Sequence, residues 1–261
     1  MYEMIKLDIQ DRVAIVTLNN PEKMNAINPK MIEDMCVAMD EIAANDDVRA
    51  LILWGGEKLF GAGVDLTRNR EGEKRTALSG YEFSRSLHRM ADKIASLPKP
   101  TIAAVGGYAL GGCMELTLAC DIRIFSEDAK VGLPEIRIGA IPCGGGTQRL
   151  ARLIGTGRAK EIIFTCAHVS AEDSYRLGIA NQVVPSGTLM DAATALAQRM
   201  TALGPIGLRL SKQAVDEGLE GTLEAGLEIE ARCYAMLLDT EDLKEGIVAF
   251  AQKRKPNFTG K

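Results

Sequence analysis

Apolar and polar positions along the first fifty residues fall into short blocks that predict two strands and a helix. Two apolar runs, residues 4–9 and 13–18, are separated by three polar residues, which predicts a β-hairpin. Asn19-Asn20-Pro21 then ends the second strand. Across residues 29–44 the apolar side chains recur at steps of three and four, with acidic residues between them. This pattern predicts an amphipathic helix with a proline near its start.

Strands and helices continue to alternate after this helix. The predicted elements that follow, in chain order, are a strand at 50–54, a charged loop at 68–80, a helix at 81–96, a strand at 101–105, a helix at 110–119, a strand at 121–125 and a loop-like stretch at 131–146. From Thr147 onward the pattern is helical, with one short candidate strand at 182–184. This order predicts an α/β fold with a mostly parallel sheet.

The composition excludes several classes of protein. Of the 261 residues, 25% are charged and 46% are hydrophobic, which is typical of a globular chain and unlike a disordered tail, a coiled coil or collagen. The length suits one large domain or two small ones. Lys and Arg number 31 against 35 Asp and Glu, so the net charge is −4 and a basic face for nucleic acid is disfavoured.

The cysteines and the N-terminus predict a cytoplasmic protein without a metal site. The first thirteen residues include five charged side chains and lack the apolar core of a signal peptide. The six cysteines are far apart and form no CxxC pair, and the chain has only two histidines. Zinc and iron–sulfur sites need grouped ligands, so both are disfavoured, and the thiols are expected to be reduced.

One segment imitates a membrane span. Residues 101–120 are almost wholly apolar and contain the GxxxG spacing of packed membrane helices at Gly107 and Gly111. Two glycine pairs divide the segment, and Glu115 lies inside it. A buried strand, a turn and a buried helix therefore fit better than a membrane helix, and no membrane partner is expected.

Several familiar catalytic motifs are missing. The chain has no GxGxxG after a strand, no GxxxxGK[ST] and no GxSxG, so dinucleotide, nucleoside-triphosphate and serine-hydrolase sites lack their characteristic turns. His88 is expected on a helix surface and His168 in a loop or at a strand edge. Neither histidine receives a role.

Two carboxylates lie in unusually apolar surroundings. Glu115 is the only charged residue in the segment 101–120, and Glu135 follows Val131-Gly132-Leu133-Pro134. A buried carboxylate is costly unless it is paired, so a structural interpretation pairs Glu115 with Arg123 and Glu135 with Arg137. The occurrence of two such glutamates, each beside a glycine-rich turn, favours acid–base chemistry.

The glycine clusters also allow two interpretations. Gly61-Ala62-Gly63 and Gly111-Gly112 are either ordinary tight turns or places where main-chain N–H groups converge on one oxygen. A helix that begins at Gly112 would add its dipole to such an anion site. Converging amides of this kind form an oxyanion hole.

Read together, these segments resemble a known family. The matching stretches, in order, are Asn25-Ala26-Ile27, Phe60-Gly61-Ala62-Gly63-Val64-Asp65, Gly107-Tyr108-Ala109-Leu110-Gly111-Gly112-Cys113-Met114-Glu115, Leu133-Pro134-Glu135, Gly146-Thr147-Gln148-Arg149-Leu150 and Phe250-Ala251-Gln252-Lys253-Arg254-Lys255-Pro256. Their order and spacing resemble the crotonase (enoyl-CoA hydratase/isomerase) superfamily along nearly the whole chain.

The resemblance implies a fold that the periodicity alone does not reach. It is a crotonase-like α/β spiral of ββα repeats with a helical C-terminal region that packs between subunits. The implied organisation is a spiral core with the acyl-CoA site at residues 1–190 and a helical region at 191–261. Homotrimers or dimers of trimers are expected.

It also implies roles for individual residues in binding an acyl-CoA thioester. Main-chain amides at Ala62 and Gly112 are expected to bind the thioester oxygen. Residues expected to contact the rest of the substrate are Asn25, Ala26 and Ile27 at the adenine end, Gly63, Val64 and Asp65 along the pantetheine path, and Phe250 and Lys253 from a neighbouring subunit. A positive helix end in water is an equally good interpretation of Lys253.

The two glutamates match the hydratase pattern of the family. Glu135 is expected to donate a proton to Cα, and Glu115 to position and deprotonate the water that attacks Cβ. No cofactor is expected, because coenzyme A is part of the substrate. The alternatives are an enoyl-CoA isomerase, another crotonase-fold acyl-CoA enzyme and a non-catalytic acyl-CoA-binding protein, and the acyl chain stays open.

Two cysteines depart from the family pattern. Cys143 stands where close hydratases usually have glycine, next to the expected water site, and Cys113 follows the expected oxyanion donor. Each is either a harmless small side chain or a change to the shape of the acyl or water pocket. A nucleophilic role for Cys143 is disfavoured because no histidine is nearby in the sequence.

Overall fold

The computed structural model describes residues 2–67 and 76–261. The strands of this part are β1 (Ile5–Gln10), β2 (Val13–Leu18), β3 (Ala50–Trp54), β4 (Leu59–Gly61), β5 (Thr101–Val105), β6 (Tyr108–Leu110), β7 (Ile122–Ser126), β8 (Lys130–Gly132), β9 (Val169–Ser170) and β10 (Gln182–Val184). Its α-helices are α1 (Pro29–Ala44), α2 (Ala77–Ala95), α3 (Gly112–Ala119), α4 (Gly146–Ile154), α5 (Thr156–Thr165), α6 (Ala171–Leu177), α7 (Leu189–Thr201), α8 (Pro205–Gly218), α9 (Leu223–Leu237) and α10 (Glu241–Ala251).

The larger sheet contains all strands of five or six residues together with the short β10, and its central strands are buried on both faces. Its order is β1-β2-β3-β5-β7-β10, with an antiparallel β1–β2 hairpin and parallel pairing elsewhere. Along β3, Leu51 and Leu53 point into the main core, whereas Ala50 and Ile52 pack on the side covered by α7. Burial on both faces explains the nearly continuous apolar runs in the central strands β2, β3 and β5.

The short strands form a second sheet that gives the molecule its spiral. This sheet has the order β4-β6-β8-β9, and β4, β6 and β8 are parallel. The chain passes from a long strand to a short strand and then to a helix in β3-β4-α2 and again in β5-β6-α3. The predicted spiral of ββα repeats is therefore confirmed, as is the helical C-terminal region.

Most of the long predicted elements are also confirmed. Strands β2, β3, β5 and β10 and helix α1 have the predicted bounds, and β1 and β7 are each displaced by one residue. Helix α2 begins at Ala77, not Tyr81, because Thr76 and Ser79 form a capping box at its start. The predicted loop is therefore wrong at 77–80, and residues 68–75 lie outside the described part. The short strands β4, β6, β8 and β9 were not predicted.

The C-terminal residues return to the body of the molecule. The Arg49 guanidinium donates to the Phe258 carbonyl at 2.7 Å, and Asp242 accepts hydrogen bonds from the amides of Thr259 and Gly260. The predicted boundary between residues 190 and 191 falls inside α7, and the division into two units stays a prediction. Within 2–67 and 76–261, no helix is long and apolar enough to span a membrane.

Candidate active site

Three strand ends of the second sheet bring the predicted site residues together. The chain leaves β4 into residues 62–65, leaves β6 into Gly111 and Gly112, and leaves β8 into residues 133–135. Because β4, β6 and β8 are parallel neighbours, their carboxyl ends meet at one edge of the sheet. Three of the six stretches quoted for the family resemblance thus form one site.

Glu115 lies in the first turn of α3, is 2% exposed and is held by main-chain amides. The Gly144 N–H lies 2.8 Å from both carboxylate oxygens, and the Gly146 N–H donates to Oε1 at 2.7 Å. A Cβ on Gly144 would lie 2.5 Å from Glu115 Oε2, so this close approach requires glycine. The predicted pairing with Arg123 is wrong, because that guanidinium donates to the carbonyls of Cys120 and Ile179 instead.

Opposing influences act on the Glu115 carboxyl. Burial raises its pKa, while the amides of Gly146 and Gly144 and the charge of Arg149 act in the other direction. Arg149 is held in place by an ion pair with Asp92 of α2, with a 2.7 Å contact between Nη2 and Oδ1. The charged form of the buried Glu115 carboxyl is therefore stabilised by hydrogen bonds from the Gly144 and Gly146 amides.

Glu135 has different surroundings. It begins the 3₁₀ turn Glu135–Ile138, and its Oε1 lies 2.9 Å from the place that a Cβ on Gly111 would occupy. Its Oε2 is buried and has no hydrogen-bond partner in the described part of the chain. Burial raises the pKa of this carboxyl to about 7, and the negative charge of Glu115 adds to the rise. The predicted pairing with Arg137 is wrong, because Arg137 donates to the Cys166 carbonyl.

The structure corrects one predicted oxyanion donor. The Ala62 N–H donates to the Met24 carbonyl at 3.0 Å, so it is not available to a substrate. Two further hydrogen bonds join the same loop to Ile27: the Ile27 N–H donates to the Gly63 carbonyl, and the Asp65 N–H donates to the Ile27 carbonyl. The amide between these two, at Val64, donates to no residue in 2–67 or 76–261. Val64 therefore replaces Ala62 as the candidate donor.

The Val64 amide lies beside the second candidate donor. A Cβ on Gly112 would lie 3.8 Å from Val64 N, and a Cβ on Gly63 would lie 3.6 Å from Gly112 N. Gly112 is the first residue of α3, so its N–H has no acceptor within the helix. Two amides that have no acceptor among the described residues thus lie side by side at a helix N-terminus, next to Glu135. No sequence signal identifies Val64 as the donor. Its N–H is available only because the residues on either side of it, Gly63 and Asp65, pair with Ile27.

Residues 25–27 contact the loop that contains Val64. Asn25 and Ile27 are 5% and 0% exposed, and the Asn25 amide donates to the carbonyls of Gly55 and Phe60. Ile27 forms the bridge with Val64. Ala26 is also buried, and the expected contact of these residues with an adenine ring stays a prediction.

Of the other predicted binding residues, Asp65 is half-buried, whereas Phe250 and Lys253 are exposed. The Asp65 carboxylate accepts hydrogen bonds from the amide and hydroxyl of Thr67. Phe250 is 87% exposed on α10, and Lys253 follows the end of that helix with a φ of 55°. Their contacts with substrate, including those from a neighbouring subunit, stay predictions.

The two unusual cysteines occupy different environments. Cys113 is buried, its Sγ lies 3.6 Å from Asn25 O, and burial raises the pKa of the thiol to about 12. It packs as a small neutral side chain. Cys143 is half-buried directly before Gly144, whose N–H contacts Glu115. Its position next to the water site stays a prediction. A histidine does lie near this cysteine in space, because Ser84 contacts both the Cys143 carbonyl and His88.

The arrangement suits acid–base chemistry on a polarised carbonyl compound. Two amides without acceptors can stabilise negative charge on an oxygen, and two buried carboxyls with different surroundings can move protons nearby. In residues 2–67 and 76–261 there is no group of three or more His, Cys, Asp or Glu side chains that could hold a metal ion.

Comparisons with known proteins agree with this geometry. The family model described as enoyl-CoA hydratase/isomerase matches residues 8–261. The short-chain-enoyl-CoA hydratase of Clostridium acetobutylicum is 38% identical over 250 residues, covering 95% of each chain. The crotonyl-CoA hydratase of Syntrophomonas wolfei is 38% identical over 263 residues, covering 100% of this chain and 99% of its own.

A crystal structure of an enoyl-CoA hydratase from Bacillus anthracis superimposes with a TM-score of 0.94 at 37% identity, covering 99% of this chain and 100% of the other. The agreement of fold, sequence and family model extends over nearly the full length of the chain. This protein belongs to the enoyl-CoA hydratase/isomerase family, the crotonase superfamily.

Proposed function

We propose that this protein is an enoyl-CoA hydratase that adds water reversibly, with syn geometry, to a trans-2-enoyl-CoA and forms a 3-hydroxyacyl-CoA. The observation that carries the proposal is that buried Glu115 and half-buried Glu135 lie in one site beside the amides of Val64 and Gly112, which have no acceptor in residues 2–67 and 76–261. Relatives named short-chain-enoyl-CoA and crotonyl-CoA hydratase, each 38% identical over nearly full length, support the same activity.

The two amides polarise the thioester. We place its carbonyl oxygen between the N–H groups of Val64 and Gly112, where the N-terminus of α3 adds a favourable dipole. When water attacks Cβ, negative charge moves onto this oxygen, and the preorganised donors stabilise the enolate more than the ground state. The attack on Cβ is thereby made easier without a metal ion.

The two glutamates divide the proton transfers. Glu115, ionised and held by Gly144 and Gly146, accepts a proton from the attacking water. Glu135, which is neutral in part of the population near pH 7 because its pKa is about 7, donates a proton to Cα. Glu115 ends protonated and Glu135 ionised, so one proton must pass between them or through solvent before the next turnover.

We propose no cofactor beyond the coenzyme A carried by the substrate, because amides and carboxyls supply every charge and proton that hydration needs.

We also propose a trimer or a dimer of trimers. Helices α9 and α10 expose large apolar side chains, among them Leu223 at 80% and Phe250 at 87%, that a neighbouring subunit would cover. Sedimentation that gives a stable monomer would contradict this assembly and the substrate contact of Lys253.

Turnover of crotonyl-CoA tests the proposed activity. Hydration removes the conjugated double bond, so we expect the absorbance of the enoyl thioester to decrease and 3-hydroxybutyryl-CoA to accumulate. The E115Q/E135Q double variant is the control, since it retains the fold and both amides but has no proton-transferring carboxyl. Binding without turnover by the wild-type protein would support a non-catalytic acyl-CoA-binding protein instead. Conversion of a 3-enoyl-CoA without hydration would support an isomerase.

A further inference from the structure

One face of α2 lies beneath the loop that supplies both hydrogen-bond donors to Glu115. Ser84, His88 and Asp92 are spaced by four residues and so lie along one stripe of the helix. Ser84 contacts the first residue of the loop, and Asp92 pairs with Arg149 just beyond its end. Between them, Leu87 packs 3.5 Å from the place that a Cβ on Gly144 would occupy.

The Ser84 contact acts on a single peptide unit. Its hydroxyl donates to the Cys143 carbonyl at 2.7 Å, and the N–H of that same peptide group, on Gly144, lies 2.8 Å from both oxygens of Glu115. In a planar trans peptide the C=O and N–H point in opposite directions. Ser84 therefore fixes the carbonyl side of a planar peptide group whose N–H points at the Glu115 carboxylate.

His88 extends this chain by one group. The Ser84 proton is used by the Cys143 carbonyl, so the hydroxyl oxygen is left to accept from His88 Nε2, which lies 3.4 Å away. The resulting series runs from imidazole to hydroxyl to peptide to carboxylate. Hydrogen bonds in such a series polarise one another, which strengthens the final N–H donor.

We propose that Ser84 is a positioning residue for Glu115, acting through the peptide group between Cys143 and Gly144, with His88 as the group that orients the serine hydroxyl. The proposal rests on the proposed hydratase function for its kinetic consequence. It assigns a role in the site to a helix that contributes no proton-transferring carboxyl and no oxyanion donor.

The expected direction of the effect follows from the charged form of Glu115. Without Ser84 the peptide group between Cys143 and Gly144 can rotate, which weakens the hydrogen bond from the Gly144 N–H to Glu115. The pKa of Glu115 should then rise. The other charged or titratable groups that face this carboxyl are Arg149, Glu135 and the Cys113 thiol, and none of them is altered by the substitution. Hydration needs ionised Glu115, so the acid limb of the rate profile should move to higher pH.

The test compares S84A with S86A and S84T. Ser86 is on the same helix, and its hydroxyl donates to the Phe83 carbonyl within α2, so S86A makes the same chemical change without touching the loop. We expect S84A to lower kcat on crotonyl-CoA by about three- to tenfold, from one lost hydrogen bond, with KM nearly unchanged. S86A should match wild type, and S84T should restore both kcat and the position of the acid limb.

A second measurement does not depend on turnover. In the E135Q background the carboxyl ¹³C resonance of Glu115, assigned by its loss in the E115Q/E135Q double variant, reports its titration directly. We expect S84A, and not S86A, to move this titration to higher pH. If S84A and S86A titrate alike, the positioning role is wrong whatever the kinetics. If wild type hydrates nothing but S84A still moves the titration, the proposed function fails and the positioning role stands.

Discussion

The two glutamates of the site share a pocket but not an environment, and the difference separates an acid from a base. Glu115 is almost fully buried, yet its oxygens receive hydrogen bonds from two glycine amides. Glu135 is only half-buried, yet one of its oxygens has no partner in the described part of the chain. Burial raises the pKa of both carboxyls, but only Glu115 receives hydrogen bonds from neighbouring glycine amides that favour its charged form.

The strongest way to break this comparison is to remove one carboxyl at a time. We expect E115Q and E135Q each to lower kcat for crotonyl-CoA hydration by about 10²- to 10⁴-fold, the usual contribution of a general acid or base. Absorbance of the conjugated thioester measures the rate. If E115Q left hydration unchanged while E135Q abolished it, a paired mechanism would be wrong.

A smaller effect is expected from removing one oxyanion donor. G112P deletes the N–H at the first position of α3, where proline is tolerated, and G112A adds a similar bulk near Val64 but keeps the N–H. G112P should lose about 10²- to 10³-fold in kcat relative to G112A, since one oxyanion donor contributes about 2.7–4 kcal/mol. Equal kcat values for the two variants would show that this amide does not bind the thioester oxygen.

The pH profile sharpens the comparison without a substitution. Glu135, with a pKa of about 7, must be protonated to donate to Cα. In the hydration direction kcat/KM should therefore fall as the pH rises through about 7, approaching tenfold per pH unit. Dehydration of the 3-hydroxyacyl-CoA starts from protonated Glu115 and ionised Glu135, a form that carries the same number of protons, and hydration consumes no net proton. The kcat/KM for dehydration should therefore fall over the same pH range. A kcat/KM for hydration that does not fall as the pH rises through about 7 would contradict the assignment of Glu135.

The smallest effect concerns stability. The pKa of Glu135 rises from 4.5 to about 7 on folding, so below pH 4.5 the carboxyl is neutral in both states and adds no pH-dependent term. Above pH 7 the folded protein must hold an unfavourable charge on Glu135. The free energy of unfolding therefore decreases as the pH rises from 4.5 to about 7. E135Q should therefore raise the melting temperature relative to wild type at pH 8 and change it much less at pH 4.5. An equal change at both pH values would contradict the raised pKa.

The sequence predicted the candidate site more completely than it predicted the local structure around it. Glu115 stood out as a lone charge in an apolar segment, and the glycines beside it indicated a close main-chain approach. Which amide was available could not be read in the same way. Ala62 and Val64 are neighbours in one loop, and only the hydrogen bond from Ala62 to Met24 shows that the first is already engaged.

The same limit applies to the structural alternatives. Arg123 and Arg137 were reasonable partners for the two glutamates by proximity in the chain, but both guanidinium groups donate to main-chain carbonyls. A local sequence pattern cannot show that a buried carboxylate will be held by amides 29 and 31 residues away. His88 was set aside for a similar reason, since its contact with the loop before Gly144 runs through Ser84.

The amino-acid sequence by itself indicated the family through the order and spacing of its motifs. It also determined most of the longer strands and helices and singled out the two glutamates, because apolar runs and isolated charges are local patterns. The tertiary structure alone decided the second sheet. Strands β4, β6 and β8 have three residues each and were not predicted, although the equally short β10 was. Each of the three pairs with neighbours from another repeat. Since the chain leaves the carboxyl ends of these strands into every catalytic group proposed above, the stacking of the repeats decided the geometry of the site and which amide is available.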